Sequence, residues 1–184
     1  MNWVDIGFVL SLRRYGESAT VVNLLTLEHG RHSGLVHGGN SQKQRGILQI
    51  GNEVHASWRA RLEDHLGAFK IELVDGHAAR VLSDPGRLAA MSSACALLDV
   101  CLPEREPHPN LFTSLQALLS VLPTAEWAAA YVAWELSLLA ELGFGLDLTA
   151  CAATGVIHDL IYVSPKSGRA VSRTAGEDYR DKLL

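Results

Sequence analysis

Cysteine, methionine and aromatic side chains are scarce in this chain of 184 residues: three Cys, two Met, and 7% Phe, Trp and Tyr. Three scattered thiols (Cys95, Cys101, Cys151) are too few for a disulfide framework, and their odd number suits a reducing compartment. A basic excess is missing as well. Sixteen Lys and Arg against twenty Asp and Glu leave a formal charge of −4, which excludes a polycation that coats nucleic acid indiscriminately. The most apolar stretch, Trp127 to Leu146, carries Glu135 and Glu141 and is read as a buried helix rather than a membrane span. The opening Met1-Asn2-Trp3-Val4-Asp5 lacks the basic and apolar regions of a secretory signal, so a cytoplasmic location is expected.

What is present divides the chain by charge. Residues 1–80 hold nine Lys/Arg against eight Asp/Glu and six of the eight histidines, whereas residues 81–150 hold two (Arg87, Arg105) against eight. Residues 151–184 return to near balance, with five against four. A His-rich, weakly basic front joined to an acidic Ala/Leu-rich middle implies parts with different partners.

Periodicity changes at the same place. Gly7–Leu12, Thr20–Leu27, Ser33–His37, Asn52–Arg61 and Phe69–Leu73 read as five short strands, with Val54, Ala56, Trp58 and Ala60 alternating against His55, Ser57, Arg59 and Arg61. Glu28-His29-Gly30-Arg31 reads as a tight turn with glycine at positive φ, and Glu63-Asp64 as a solvated turn. Five strands within about 75 residues fit a small antiparallel barrel. Beyond Asp75-Gly76 the apolar spacing becomes helical. Ser83-Asp84-Pro85 opens a stripe of Leu88, Met91, Cys95, Leu98 and Leu102; Leu111, Leu115, Leu118, Leu119 and Leu122 form a second; a third runs from Trp127 to Leu142, with Thr124 as cap and Gly143 as stop. The fold class is α+β, a barrel followed by a helical bundle. The expected divisions are 1–76, 77–150 and a C-terminal segment 151–184.

Catalytic signatures are missing: no Walker loop, no H-E-x-x-H and no G-x-S-x-G. Gly38-Gly39 reads as a turn, Gly143-Phe144-Gly145 as a helix cap, Cys95 and Cys101 as packing residues, and His29 and His32 as ordinary rather than metal-binding histidines. The expectation is a protein that is not an enzyme. What remains is a basic set on the front part: Arg13, Arg14, Arg31, Lys43, Arg45, Arg59 and Arg61, with Tyr15 and Trp58 among them. Cations tracking phosphates beside rings that stack on bases suit a single-stranded nucleic acid. Trp58 shares its face with Val54 and Ala56, which favours the core.

The order of residues adds to this. Gly7-Phe8-Val9-Leu10-Ser11-Leu12-Arg13-Arg14-Tyr15-Gly16-Glu17-Ser18, then Val22 to Val36 with Glu28-His29-Gly30-Arg31 inside it, and later Tyr162 to Ser172, resemble the RecO family of bacterial DNA repair proteins over nearly the whole chain. That resemblance implies an OB-fold for the barrel and a non-enzymatic, nucleoid-associated recombination mediator. Such a mediator binds single-stranded DNA, partners RecR, engages the C-terminal tail of single-stranded DNA-binding protein (SSB), anneals strands and helps RecA load. An acidic tail ending in an apolar residue needs an apolar groove with a cation, for which Arg87, Arg105, Lys166, Arg169 and Arg173 are the candidates.

The chain also departs from the family pattern. The loop His37–Arg45 is poorer in cations than the resemblance implies, leaving an adaptor for RecR and SSB with little direct DNA contact as the competing reading. A four-cysteine zinc site is reduced to Cys151, with Thr154, Ser172 and Ala175 at the other positions, so no zinc is expected. The chain stops at Leu184, earlier than the resemblance implies, as a piece lacking a last segment would.

Overall fold

The computed structural model describes residues 1–62 and 65–184, and the backbone but not the side chain of Lys43. Glu63 and Asp64, the expected solvated turn, lie outside the described residues.

Five strands close into a barrel: β1 (Asn2–Tyr15), β2 (Ala19–Thr26), β3 (Gly30–Val36), β4 (Glu53–Arg59) and β5 (Ala68–Asp75), in the order β1-β2-β3-β5-β4. All pairs are antiparallel except β3 with β5, which meet in parallel at Leu35 and Ala68. Closure rests on β1. Its first half pairs with β4 (Asn2 opposite Arg59, Phe8 opposite Glu53), and its second half pairs with β2 (Gly7 opposite Thr26, Tyr15 opposite Ala19). An irregularity between Val9 and Ser11 lets one strand bend through both pairings. This is the OB-fold arrangement, with a short helix α1 (Gln42–Ile47) between β3 and β4.

The interior is filled from alternate positions: Val9, Val22, Leu24, Val36, Val54, Ala56, Trp58, Phe69 and Ile71. Trp58 is core, and its indole Nε1 donates to Leu66 O at 3.1 Å. Alternation explains the strands, and its failure in Gly7–Leu12 is equally informative. Val9 faces the barrel, while Phe8 meets Phe112 of the helical part with ring centroids 4.9 Å apart, so both faces of β1 are covered and the run reads as continuously apolar.

The helical part begins with α2 (His77–Val81) and α3 (Pro85–Cys101), followed by α4 (Pro109–Val121) and α5 (Trp127–Glu141). Asp84 caps α3 by accepting from Gly86 N and Arg87 N, with Pro85 in the first turn where its missing N–H costs nothing. Met91, Cys95, Leu98 and Leu102 are buried as their spacing implied, and burial pushes the Cys95 thiol up to about 12. Cys101 corrects an expectation: it is exposed rather than packed, because it lies to one side of the stripe that Leu98 and Leu102 carry to the end of α3. α5 corrects another. It is helical as expected, but only Trp134 and Leu138 of its residues are buried, and Val132, Leu136 and Leu139 are exposed. The loop expected at His37–Arg45 also contains structure, since Ser41 caps α1 by accepting from Gln44 N.

The chain folds as two compact units, Met1–Tyr131 and Val132–Leu184. The compositional break near residue 76 falls inside the first, which holds the barrel and α1–α4. The second contains a hairpin, β6 (Leu160–Val163) with β7 (Ala170–Ser172), then α6 (Arg173–Gly176) and a final helical turn Glu177–Lys182. Among the described residues no helix is long and apolar enough to cross a membrane.

Candidate nucleic-acid interface

The barrel brings some of the expected cations together and separates others. At the far end of β1, Arg13, Arg14 and Tyr15 are exposed beside the β1–β2 turn. Arg14 and Arg45 line one shallow depression of about 200 Å³ with Leu12 and Asn40. Asn40 builds its rim. The amide donates to Glu17 O (3.0 Å) and accepts from Thr20 Oγ1 (3.2 Å), while Arg45 Nε donates to Asn40 O (3.1 Å). The end of β1 and helix α1 thereby present their guanidinium groups on one patch.

Arg59 and Arg61 are at the other end, since Arg59 pairs with Asn2. Both are exposed. Beside them opens a cleft of about 500 Å³ lined by Trp3, His29, His32, Trp58, Glu28 and Arg105. Trp3 and His29 stack with centroids 4.1 Å apart and planes 10° apart, and His32 meets Trp3 edge-on at 5.1 Å. Buried Asp5 organises this end: Oδ1 accepts Ile6 N, and Oδ2 accepts Glu28 N and lies 2.9 Å from His29 Nδ1. Burial pulls the His32 pKa below its ordinary 6.5, so this ring is neutral and apolar in character at pH 7. Nothing in composition singled out Trp3 or His29. An amino-terminal tryptophan four residues ahead of the first apolar run was the available signal.

Arg31 stands elsewhere than expected. Its side chain is 16% exposed, Nε donates to Leu102 O at 2.8 Å, and NH1 lies 3.5 Å from both Asp99 and Glu104. The same acids take the rest of the outer β2–β3 surface: Asn23 Nδ2 donates to Asp99 Oδ1 (2.9 Å), and Ser33 Oγ donates to Asn23 Oδ1 (2.7 Å) and Glu104 Oε1 (3.3 Å). The segment Glu104–Glu106 lies across the β2–β3 hairpin, with Arg105 N donating to Arg31 O at 2.8 Å. Strands 2 and 3 are where OB-folds commonly take oligonucleotides. Here an acidic helix end and the segment after it cover that surface. The Lys43 side chain lies outside the described residues.

The expected partner-binding cations also separate. Arg87 is tied to Asp84 and to the Pro123 carbonyl. Arg105 belongs to the aromatic cleft, reaching His65 O from NH2 (3.3 Å). In the second unit Arg169 pairs with Asp147 and Arg173 with Asp159, each at 3.3 Å. Lys166 alone of the three lines a groove of about 350 Å³ whose walls include Phe144, Leu146, Val163 and Leu184.

The four positions of the reduced zinc site do not fit a zinc ion. Cys151 is buried, and its sulfur accepts from Ser172 N (3.3 Å) and Ser172 Oγ (3.4 Å). These bonds and those from Thr154 lower the thiol to about 6 against the opposing push of burial. One thiolate with two hydroxyls and an alanine is a hydrogen-bonded knot, not a closed tetrahedral site.

Two family models match the chain, Recombination protein O N terminal over residues 1–77 and Recombination protein O C terminal over residues 82–184. Among similar proteins, the DNA repair protein RecO of Rhodospirillum centenum is 56% identical over 186 residues, covering all of this chain and 74% of that protein. Those of Methylobacterium nodulans and Jannaschia sp. are 52% and 50% identical, again over the whole chain and 75% of each relative.

Proposed function

The chain belongs to the RecO family of DNA repair proteins, and from that we propose that it is a non-enzymatic recombination mediator that binds single-stranded DNA, anneals complementary strands and, with RecR, helps load RecA onto SSB-coated DNA. The observation that carries the DNA-binding part is the aromatic cleft of Trp3 and His29, open between Arg105 and the Arg59 end of β4. An unstacked base needs a ring face to lie on and a cation for the neighbouring phosphate; Trp3 already stacks on both His29 and Trp58, so the partly exposed His29 ring is the platform and Arg105 the cation. The Arg14 and Arg45 patch supplies a second place for phosphates beside the β1–β2 turn, with Arg13 on the opposite face of β1. Two separate cationic places on one barrel suit a protein that holds two stretches of strand.

For the SSB tail, Lys166 supplies the charge and Phe144, Leu146 and Val163 the apolar wall. The adaptor reading has its own support in the acidic cover over the β2–β3 surface and in Arg31 being held there. Anisotropy of a labelled single strand at two salt concentrations, with and without an acidic SSB tail peptide, separates the two. The mediator reading expects binding that falls steeply with salt. Paired Arg14→Ala and Arg45→Ala changes should flatten the slope by about 0.7 for each phosphate no longer neutralised. His29→Ala, which removes the exposed ring, should weaken binding by about 1–3 kcal/mol, the usual worth of one stacked base. Background DNA binding with intact capture of the tail peptide, lost in Lys166→Glu, would establish the adaptor instead.

A further inference from the structure

The register of the barrel brings three ligating side chains to one point outside the DNA-binding surfaces. Glu53 opens β4 directly opposite Asp75 at the end of β5, and two residues later His77 begins α2. Each carboxylate is anchored through one oxygen: Glu53 Oε1 accepts from Gln116 Nε2 (3.2 Å), and Asp75 Oδ1 accepts from Arg80 NH2 (2.6 Å). Their other oxygens turn toward the His77 imidazole. Glu53 Oε2 is 3.8 Å and Asp75 Oδ2 is 3.7 Å from Nε2, and the three ligand atoms all lie within 4.8 Å of one another.

These gaps are too long for hydrogen bonds. The His77 side chain is 5% exposed, and its Nε2 has no hydrogen-bond partner. A buried orphan nitrogen facing two half-used carboxylates is costly as it stands, and a cation would relieve all three at once.

We propose that Glu53, Asp75 and His77 form a binding site for a divalent transition-metal ion, Zn²⁺ by preference, that fastens the barrel to the start of the helical segment. One imidazole and two carboxylates are a zinc-type donor set. Bonds of about 2.0–2.1 Å place tetrahedral ligands about 3.4 Å apart, so bringing either carboxylate oxygen to that distance from Nε2 takes less than about half an ångström. Water would fill the fourth vertex. Gln116 already does what an outer partner of a metal site does, fixing the Glu53 carboxylate from behind.

Arg80 opposes the ion in one respect. Ligation through Nε2 leaves the proton on Nδ1, where it would confront Arg80 NH1 at 3.5 Å, donor against donor. Arg80 must swing away from the ring to let the ion in.

The test is calorimetric titration of the full chain with Zn²⁺, with Mg²⁺ as the control, together with the thermal shift each ion causes. Zn²⁺ is expected to bind at one equivalent and raise the melting temperature, and Mg²⁺ to do neither. His77→Gln and Glu53→Gln should each weaken Zn²⁺ by about 100-fold or more, exceeding the effect of losing an outer partner. Cys101→Ser, which removes an exposed thiol, should change nothing. Arg80→Gln should tighten binding several-fold, an outcome that no folding defect imitates. In the intact protein the His77 ring resonances should shift on Zn²⁺ addition. Absence of binding, binding that survives in folded His77→Gln, binding lost with Cys101→Ser, or weaker binding in Arg80→Gln each overturns the site.

Discussion

Replacing Arg31 separates a DNA contact from an internal brace. Arg31→Met keeps most of the aliphatic stem, so its effect reports the guanidinium. The change removes a charge-assisted bond to Leu102 O at 2.8 Å, worth about 1.5–3 kcal/mol. It also leaves Asp99, whose side chain is 19% exposed, with Asn23 but without its cation. Glu104 is half exposed and adds little, because water screens that pair. The total expected is about 3 kcal/mol, which for a chain of this size lowers the melting temperature by about 6–12 °C. Thermal denaturation followed by circular dichroism reads this directly, and anisotropy with a labelled single strand, well below the transition, reads DNA binding. Stability should fall while the DNA affinity of the folded protein stays within about twofold. A melting temperature unchanged to about 2 °C with a tenfold loss of affinity would refute the reasoning and return Arg31 to the binding surface.

Other consequences can be measured as simply. Gly30 has φ +64°, and a Cβ there would collide with the Glu106 carbonyl, so Gly30→Ala should cost about 3 kcal/mol or more; a chemical denaturation midpoint unchanged from the parent would contradict this. His32, packed among Trp3, Trp58 and Phe69 with Arg105, His29 and Glu104 as its nearby charges, has a pKa lowered chiefly by burial. The unfolded chain therefore takes up that proton first. Its contribution to stability is full above pH 6.5 and is lost as pH falls below 6.5 toward the folded value, so melting temperature should drop on acidification through that window and drop less in His32→Phe. Lys166→Glu should abolish capture of an acidic, apolar-ended peptide without changing single-strand binding, and equal loss of both would place Lys166 on the DNA surface instead.

The strands were legible because a half-buried strand repeats every two residues, and Val54, Ala56 and Trp58 follow that rule. The helices α3 and α4 were legible from leucines at three- and four-residue steps. Helix α1 was not, since Gln42-Lys43-Gln44-Arg45-Gly46 carries no apolar period, and its cap at Ser41 is a single residue. Arg31 misled for a different reason. It alternates outward along β3 like a surface cation, and the acids that claim it, Asp99 and Glu104, are about seventy residues away in sequence. The Trp3–His29 stack and the Glu53, Asp75 and His77 cluster share that character: each is assembled by strand pairing between distant segments. Patterns reveal faces, whereas sites of this kind depend on which faces meet.

The segment crossing the β2–β3 hairpin makes the barrel and the helices one instrument. Cut after Asp75, the amino-terminal part would keep its hydrogen-bonded cylinder but bare Asn23, Ser33 and a suddenly unclaimed Arg31, while the aromatic cleft would lose Arg105. The excised piece would be no miniature of the parent; it would display a guanidinium that the intact protein holds against Asp99 and Glu104. Dissecting this protein by truncation therefore lays open a face that the intact molecule keeps occupied by its own acids.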